Sequence, residues 1–195
     1  MLDLTSIRSI TDAVIAFPLR TPTLPPATHT NMYILGTSAL TLIDVASPYV
    51  DEQDRLYKYL HMRMEQGAYI ERIILTHHHQ DHIAGVQALV DRYQVPVYAH
   101  PANHDLVKFT IDHELNDGEH INISLAETSS SFHQWEVMHT PGHTKGHICL
   151  VNHQLSIGII GDMLASKGSI LIHPVEGHMR TYIQQLQRLQ SLDLA

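Results

Sequence analysis

The stretch Ile74–Gly85 reads ILTHHHQDHIAG and holds four histidines and one aspartate directly after an apolar run. In an extended segment, side chains at i and i+2 point to the same side. His77 and His79 can therefore reach one ion, with His78 facing away. Asp81 and His82 follow where the backbone is expected to turn into a helix, and both can point back into the same cavity. Downstream, HTPGHTKGH places His143 on a Pro-Gly turn, and IIGD places Asp162 at the end of an apolar strand. Zinc takes imidazole and carboxylate ligands at about 2.0–2.2 Å, usually tetrahedrally. Three imidazoles on one ion leave a position for water, and the pKa of such a water falls to about 7. The chemistry implied is hydrolysis by an activated water.

Each residue has a plainer reading. Taken alone, Asp81 is as easily a helix N-cap, and a single histidine is a loop residue. Five in register, with Asp162 as a sixth, weigh against that reading. The remaining histidines lack such spacing. The chain has 17, more than its 12 lysines and arginines together, and these cannot all serve one site. His78 is a neighbour rather than a ligand, and His139 is structural. His147 is left open between a residue that hydrogen-bonds near His143 and a plain strand residue. His29, His61, His100, His104, His113, His120, His133 and His153 read as surface or packing residues. Gly142 and Gly161 are expected to serve backbone geometry, Thr144 to cap its turn rather than bond a ligand, and Cys149 to be buried and inert.

The elements that must position these groups alternate without a strict β-α order. SITDAVIAFPLR reads as a strand ending at Pro18, and the proline-rich TPTLPPATHT as a loop. NMYILG and ALTLIDVA read as two strands with a turn at Gly36–Ser38. DEQDRLYKYLHMRMEQG reads as a helix with Leu56, Tyr59, Leu60 and Met64 as its apolar stripe. YIERIILT is the strand that feeds the histidine cluster. HIAGVQALVDRY reads as one helix, VPVYAH as a strand, and HDLVKFTID as a weaker helix. HINIS, FHQWEVMHT, HICLVN and LSIGIIGD read as successive strands. RTYIQQLQRLQSL closes as an amphipathic helix with Tyr182, Ile183, Leu186, Leu189 and Leu192 on its apolar side. This order fits a mixed α/β sandwich better than a doubly wound parallel sheet.

Bulk properties narrow the classes further. A chain of 195 residues suits one domain, 1–195, with a substantial core. No stretch approaches the roughly 20 apolar residues that cross a membrane, and the N-terminus shows no signal peptide. One cysteine, Cys149, excludes an internal disulfide, and a reducing cytoplasm is the expected compartment. A net charge of −8 and the absence of a basic run disfavour a partner held by its phosphates.

The ordered set THHHQDH, TPGHTKGH and GD resembles the metallo-β-lactamase superfamily of metal-dependent hydrolases. HTNMYILG and the segment after Asp162 look most like the lactamase-β-2-like branch, and the TPGHTxGH turn like the glyoxalase II-like branch. The resemblance implies an α+β fold, a four-layer αββα sandwich. It implies two zinc ions, with iron or manganese as alternatives. His77, His79 and His143 would bind the first ion, Asp81 and His82 the second, and Asp162 would bridge them. A water or hydroxide between the ions would be the nucleophile, with Asp81 orienting it or shuttling its proton. The substrate class implied is a small ester or thioester, or an RNA phosphodiester that the net charge disfavours. The lack of a secretion signal argues against β-lactams. A mononuclear iron enzyme acting on persulfides, and a non-catalytic relative, are the alternatives on the same scaffold.

Two departures from the family pattern stand out. The family's last histidine follows the final helix, where this chain ends at Ala195, so the domain is expected to lack its last strand and helix. His173 and His178 stand where the branch shows acidic residues, and either could replace the missing ligand. Apolar surface left exposed by a missing strand would favour self-association into a homo-oligomer.

Overall fold

The computed structural model describes residues 6–125, 132–192 and 194. The signal-peptide reading rests partly on residues 1–5, which lie outside the described residues. The first sheet has seven strands in chain order: β1 (Arg8–Thr11), β2 (Val14–Arg20), β3 (His29–Leu35), β4 (Ala39–Ile43), β5 (Tyr69–Ile74), β6 (Val97–Ala99) and β7 (His113–Glu114). β1 to β4 are antiparallel, and β4 to β7 run parallel. The second sheet is antiparallel, with β8 (His120–Ser124), β9 (Phe132–His139), β10 (Ile148–Asn152) and β11 (Ile157–Ile159) in the order β11-β10-β9-β8. The helices are α1 (Val50–Glu65), α2 (Gln80–Ile83), α3 (Val86–Tyr93) and α4 (Met179–Gln190).

Three apolar clusters define the layers. Phe17, Leu40 and Ile73 of the first sheet pack against Leu56 and Leu60 of α1 and Val86 and Leu89 of α3. On its other face, Val14, Ile43 and Ile74 meet Ile121, Trp135, Val137 and Leu150 of the second sheet. The second sheet's outer face carries Met138, Cys149 and Val151 against Tyr182, Leu186 and Leu189 of α4. The order is helix, sheet, sheet, helix, as the resemblance implies. β2 and β4 are buried along almost their whole length, hence their near-continuous apolar runs. No helix among the described residues is long and apolar enough to cross a membrane.

Several local expectations differ from the structure. The first strand is a hairpin, and β2 continues past Pro18 to Arg20. Pro18 lies beyond the last β1 pair, Arg8↔Ala16, where one side of the strand is free and proline is tolerated. The helix after the histidine cluster is two helices. Gly85 separates them because its N–H bonds the Val45 carbonyl at 2.9 Å and a Cβ there would lie 2.9 Å from the Ser47 carbonyl. HDLVKFTID is not an α-helix. A 3-10 turn covers Pro101–Leu106, and the chain then extends, with the Asp112 carboxylate accepting the Val97 N–H at 2.8 Å. On α4, Ile183 points outward and is exposed, whereas Tyr182, Leu186, Leu189 and Leu192 pack inward.

Candidate metal centre

The functional groups gather where strand ends from both sheets meet. β4 ends at Ile43 and delivers Asp44. β5 ends at Ile74 and delivers Thr76 to His79, after which α2 carries Asp81 and His82. From the second sheet, the turn between β9 and β10 brings His143 and His147, and the turn after β11 brings Asp162. Crevices beyond the carboxyl ends of parallel strands are where such folds place ligands. Asp44 has φ +58, a left-handed conformation that aspartate tolerates better than most residues. There its N–H bonds the Ile74 carbonyl at 3.0 Å, tying the ends of β4 and β5 together.

Four ligand atoms, one each from His77, His79, His143 and Asp162, lie within 4.8 Å of one another. The ring centroids of His79, His82 and His143 stand 4.8, 4.2 and 4.9 Å from that of His77. The nitrogens of three rings that do not face the cluster are held by hydrogen bonds. His77 Nδ1 meets Thr76 Oγ1 at 3.0 Å, His143 Nδ1 meets the Leu171 carbonyl at 2.9 Å, and His82 Nδ1 meets Asp44 Oδ2 at 2.8 Å. Fixing one ring nitrogen in this way aims the other at a metal. The inward atoms crowd together. His143 Nε2 lies 2.9 Å from His79 Nδ1 and 3.4 Å from Asp162 Oδ2, and His82 Nε2 lies 3.1 Å from Asp162 Oδ1. His77 Nε2 is buried with no partner.

The electrostatics divide the rings into two kinds. Burial, reinforced by the neighbouring histidines, drives His77 well below the ordinary imidazole pKa. Burial also lowers His143, against the pull of Asp162. His77 and His143 are therefore neutral lone-pair donors near pH 7. His82 is the opposite case. Burial opposes its charge, but Asp44 and Asp162 on its two nitrogens outweigh burial and raise its pKa well above the ordinary value. Asp162 is held well below the usual carboxylate range. Burial resists this, and the His82 hydrogen bond and charge overcome it.

Of the sequence-derived site residues, His77, His79, His143 and Asp162 come together as one group, and His82 joins through Asp162. Asp81 sits on the first turn of α2, on the wall of the adjoining cavity, outside that four-atom group. His147 proves to be a positioning residue. Its Nδ1 meets Thr140 Oγ1 at 2.8 Å and its Nε2 accepts the Asp162 N–H at 3.1 Å. Gly161, at φ +47, has no room for a side chain, because a Cβ would lie 2.6 Å from His147 Nε2. His139 bonds the Lys145 carbonyl and stacks on His100, away from the cluster. The Cys149 thiol is buried and pushed up to about 12.

Three readings need correction. His173 and His178 do not reach the cluster. His173 Nδ1 accepts the Val175 N–H, and His178 Nδ1 accepts the Thr181 N–H as the N-cap of α4. The residue of that segment that arrives is Glu176, whose Oε2 lies 2.9 Å from His79 Nε2. Thr144 does not cap its turn with its side chain, since its hydroxyl is buried without a partner. Asp44 was not anticipated. Its only sequence signal is an acidic residue ending an apolar strand, and what marks it is the partner 38 residues away.

The donors fit a metal. Neutral imidazoles and a carboxylate converge, and the buried His77 Nε2 has no hydrogen-bond partner among the described residues. A cavity of about 700 Å³ adjoins the cluster, with Tyr33, Asp81, Leu164 and Lys167 among its lining.

The family model described as the metallo-beta-lactamase superfamily matches residues 25–195, and this chain belongs to that superfamily. It is similar to a hydroxyacylglutathione hydrolase of Xylella fastidiosa strain M12, at 37% identity over 123 residues, covering 63% of this chain and 42% of that protein. A hydroxyacylglutathione hydrolase of Cereibacter sphaeroides is 30% identical over 179 residues, covering 90% of this chain and 63% of that protein. The chain thus spans roughly two fifths to just under two thirds of these relatives' lengths. Among solved structures, TTHA1623 in a di-iron-bound form superposes with a TM-score of 0.67 at 25% identity, covering 90% of this chain and 86% of that one. Both relatives carry the name of the glyoxalase II-like branch, the second of the two branches weighed from the sequence.

Proposed function

We propose that the chain is a metal-dependent hydrolase of a small thioester or ester. His77, His79, His143 and Asp162 would hold a first metal ion, and His82 and Asp81, with Asp162 shared, a second. The observation that carries this reading is the buried, unpartnered His77 Nε2 amid three further imidazoles and a carboxylate. Divalent ions held by these residues would supply Lewis acidity toward a scissile carbonyl and would lower the pKa of a water to about 7.

The chain's own residues set up that chemistry. Asp44 and Thr76 orient His82 and His77, and His147 holds the Asp162 backbone. Asp81, on the cavity wall, is the group assigned to orient a water or take its proton. The cavity volume suits a small molecule. The relatives named hydroxyacylglutathione hydrolase favour a thioester, and the net charge of −8 weighs against nucleic acid. Zinc is the proposed ion, and the di-iron form of TTHA1623 makes iron the alternative. The single, buried thiol agrees with a reducing cytoplasm.

A panel of thioester, lactone, phosphodiester and β-lactam probes, each with and without chelator, tests the reading. Chelator-sensitive thioester cleavage is expected. Chelator-insensitive cleavage, or none on a zinc-loaded chain, would overturn it.

A further inference from the structure

His79 uses both ring nitrogens. Nδ1 faces His143 Nε2 at 2.9 Å, inside the candidate metal group. Nε2 faces Glu176 Oε2 at 2.9 Å, on the outer side. His77 and His143 have their outer nitrogens fixed by a hydroxyl and a carbonyl, but His79 alone among these three has a carboxylate there. His79 is the N-cap of α2 in an extended conformation, and its carbonyl accepts the N–H groups of His82 and Ile83.

The turn that carries Glu176 is fastened to the loop that carries His143. The N–H groups of Glu176 and Gly177 both donate to the His173 carbonyl, and the His178 N–H donates to the Gly142 carbonyl at 2.7 Å. Gly177 lies so close that a Cβ would stand 2.7 Å from the Gly142 carbonyl oxygen and 2.9 Å from that of His143. One rigid junction thus places the His143 ring and the carboxylate that grips His79. The two rings come from points 64 residues apart, and this junction ties the segment behind one to the loop that carries the other.

We infer that Glu176 is the positioning residue of His79, accepting its Nε2–H so that Nδ1 is presented, lone pair inward, as a metal ligand. The inference rests on the metal-site reading above and deepens it. A carboxylate behind a ligating imidazole fixes the ring and raises its basicity, and removing one typically lowers metal affinity about 10–100-fold. The nearby His78, whose Nε2 is 3.6 Å from Glu176 Oε2, offers a rival: the three residues could themselves hold a cation, with Glu176 as a direct ligand.

Two measurements on the whole chain test the inference. In metal-free protein, nuclear magnetic resonance should show an exchange-protected His79 Nε2–H proton that disappears in Glu176→Ala. Zinc titration against a chromophoric chelator should show an affinity about 10–100-fold weaker for Glu176→Ala. Glu176→Gln, whose amide oxygen still accepts, should fall between it and the native chain. All variants should keep the native zinc stoichiometry and the native melting of the metal-free protein. Absence of the protected proton overturns the contact whatever the metal does. A protected proton with equal zinc affinity in all three proteins overturns the positioning role. Loss of a whole zinc equivalent in Glu176→Ala would make Glu176 a ligand instead. A protected proton on a native chain that binds no zinc would leave the contact standing but remove the metal-site reading, and the positioning role with it.

Discussion

His82 Nε2 stands 3.1 Å from Asp162 Oδ1, a hydrogen-bonding distance that joins the two sides of the cluster. With Asp44 behind it as well, the two carboxylates outweigh burial and raise the His82 pKa well above its ordinary value, favouring a proton on Nε2 at neutral pH. A cation entering there must displace it, because metal ligands bind deprotonated. Zinc loading at pH 7 should therefore release protons. Calorimetry in two buffers of different ionisation enthalpy should give a net release that shrinks as the pH is raised through the His82 pKa. Heat independent of the buffer would contradict this.

Asp44 Oδ1 accepts the Thr76 N–H, and Oδ2 accepts from both Thr76 Oγ1 and His82 Nδ1. Asp44→Asn keeps the shape but turns one of these acceptors into a donor facing donors. A buried donor left unsatisfied costs about 1–3 kcal/mol, more for charged groups. The variant should be about 2–4 kcal/mol less stable in denaturant titration, and it should bind zinc more weakly. Native stability would show that the network is unimportant to the fold.

Gly161→Ala should be worse than an ordinary surface change. The new Cβ would meet His147 Nε2 at 2.6 Å and Thr76 Oγ1 at 3.0 Å, at a positive φ that alanine resists. Strain of about 1–3 kcal/mol is expected from the backbone alone. Thermal melting should fall, and zinc affinity with it, because Asp162 follows directly. A variant with native melting and native affinity would contradict the packing described.

His100 gives a pH prediction away from the metal. Burial, helped by His139 stacked 3.9 Å away, lowers its pKa to about 4, and its Nδ1 accepts the Ala102 N–H. Its unfolded value is about 6.5. Between these values the unfolded chain binds the proton more readily, so this stabilisation is present above about pH 6.5 and is lost as the pH falls toward 4. The group is half-buried, so the slope should be only a fraction of the roughly 1.4 kcal/mol per pH unit that one proton allows. His100→Asn keeps a capping acceptor without the titration. Its denaturation midpoint should fall less steeply over that window than the native one. Parallel slopes would sink the assignment.

Asp81→Asn should reduce thioester turnover far more than it reduces stability, because Asp81 lines the cavity without belonging to the packed four-atom group. Equal turnover with normal folding would remove its assigned role.

Much of this was legible in the residues. The spacing of His77 and His79 follows from the period of an extended chain, and the three core layers follow from apolar runs and stripes such as Leu56, Tyr59 and Leu60. What was hidden depends on contacts between distant segments. Asp44 gains its meaning only when β4 and β5 lie side by side. Glu176 carries no sequence signal beside His173 and His178, and it reaches His79 only because the turn that holds it is fastened to Gly142, while the Nδ1 atoms of both histidines accept local backbone N–H groups. Gly85 broke a helix whose periodicity was unbroken, because a loop after β4 crosses it. Thr144 looked like a capping residue on composition alone, and only packing shows its hydroxyl enclosed.

The most direct test of the central claim is metal content per chain, measured by mass spectrometry on protein purified without added metal, beside His77→Ala. The account predicts bound zinc or iron in the native chain, with two ions if Asp81, His82 and Asp162 complete the second position, and a marked loss in His77→Ala. A native chain free of metal even after zinc is supplied, or metal held equally well without His77, would contradict it.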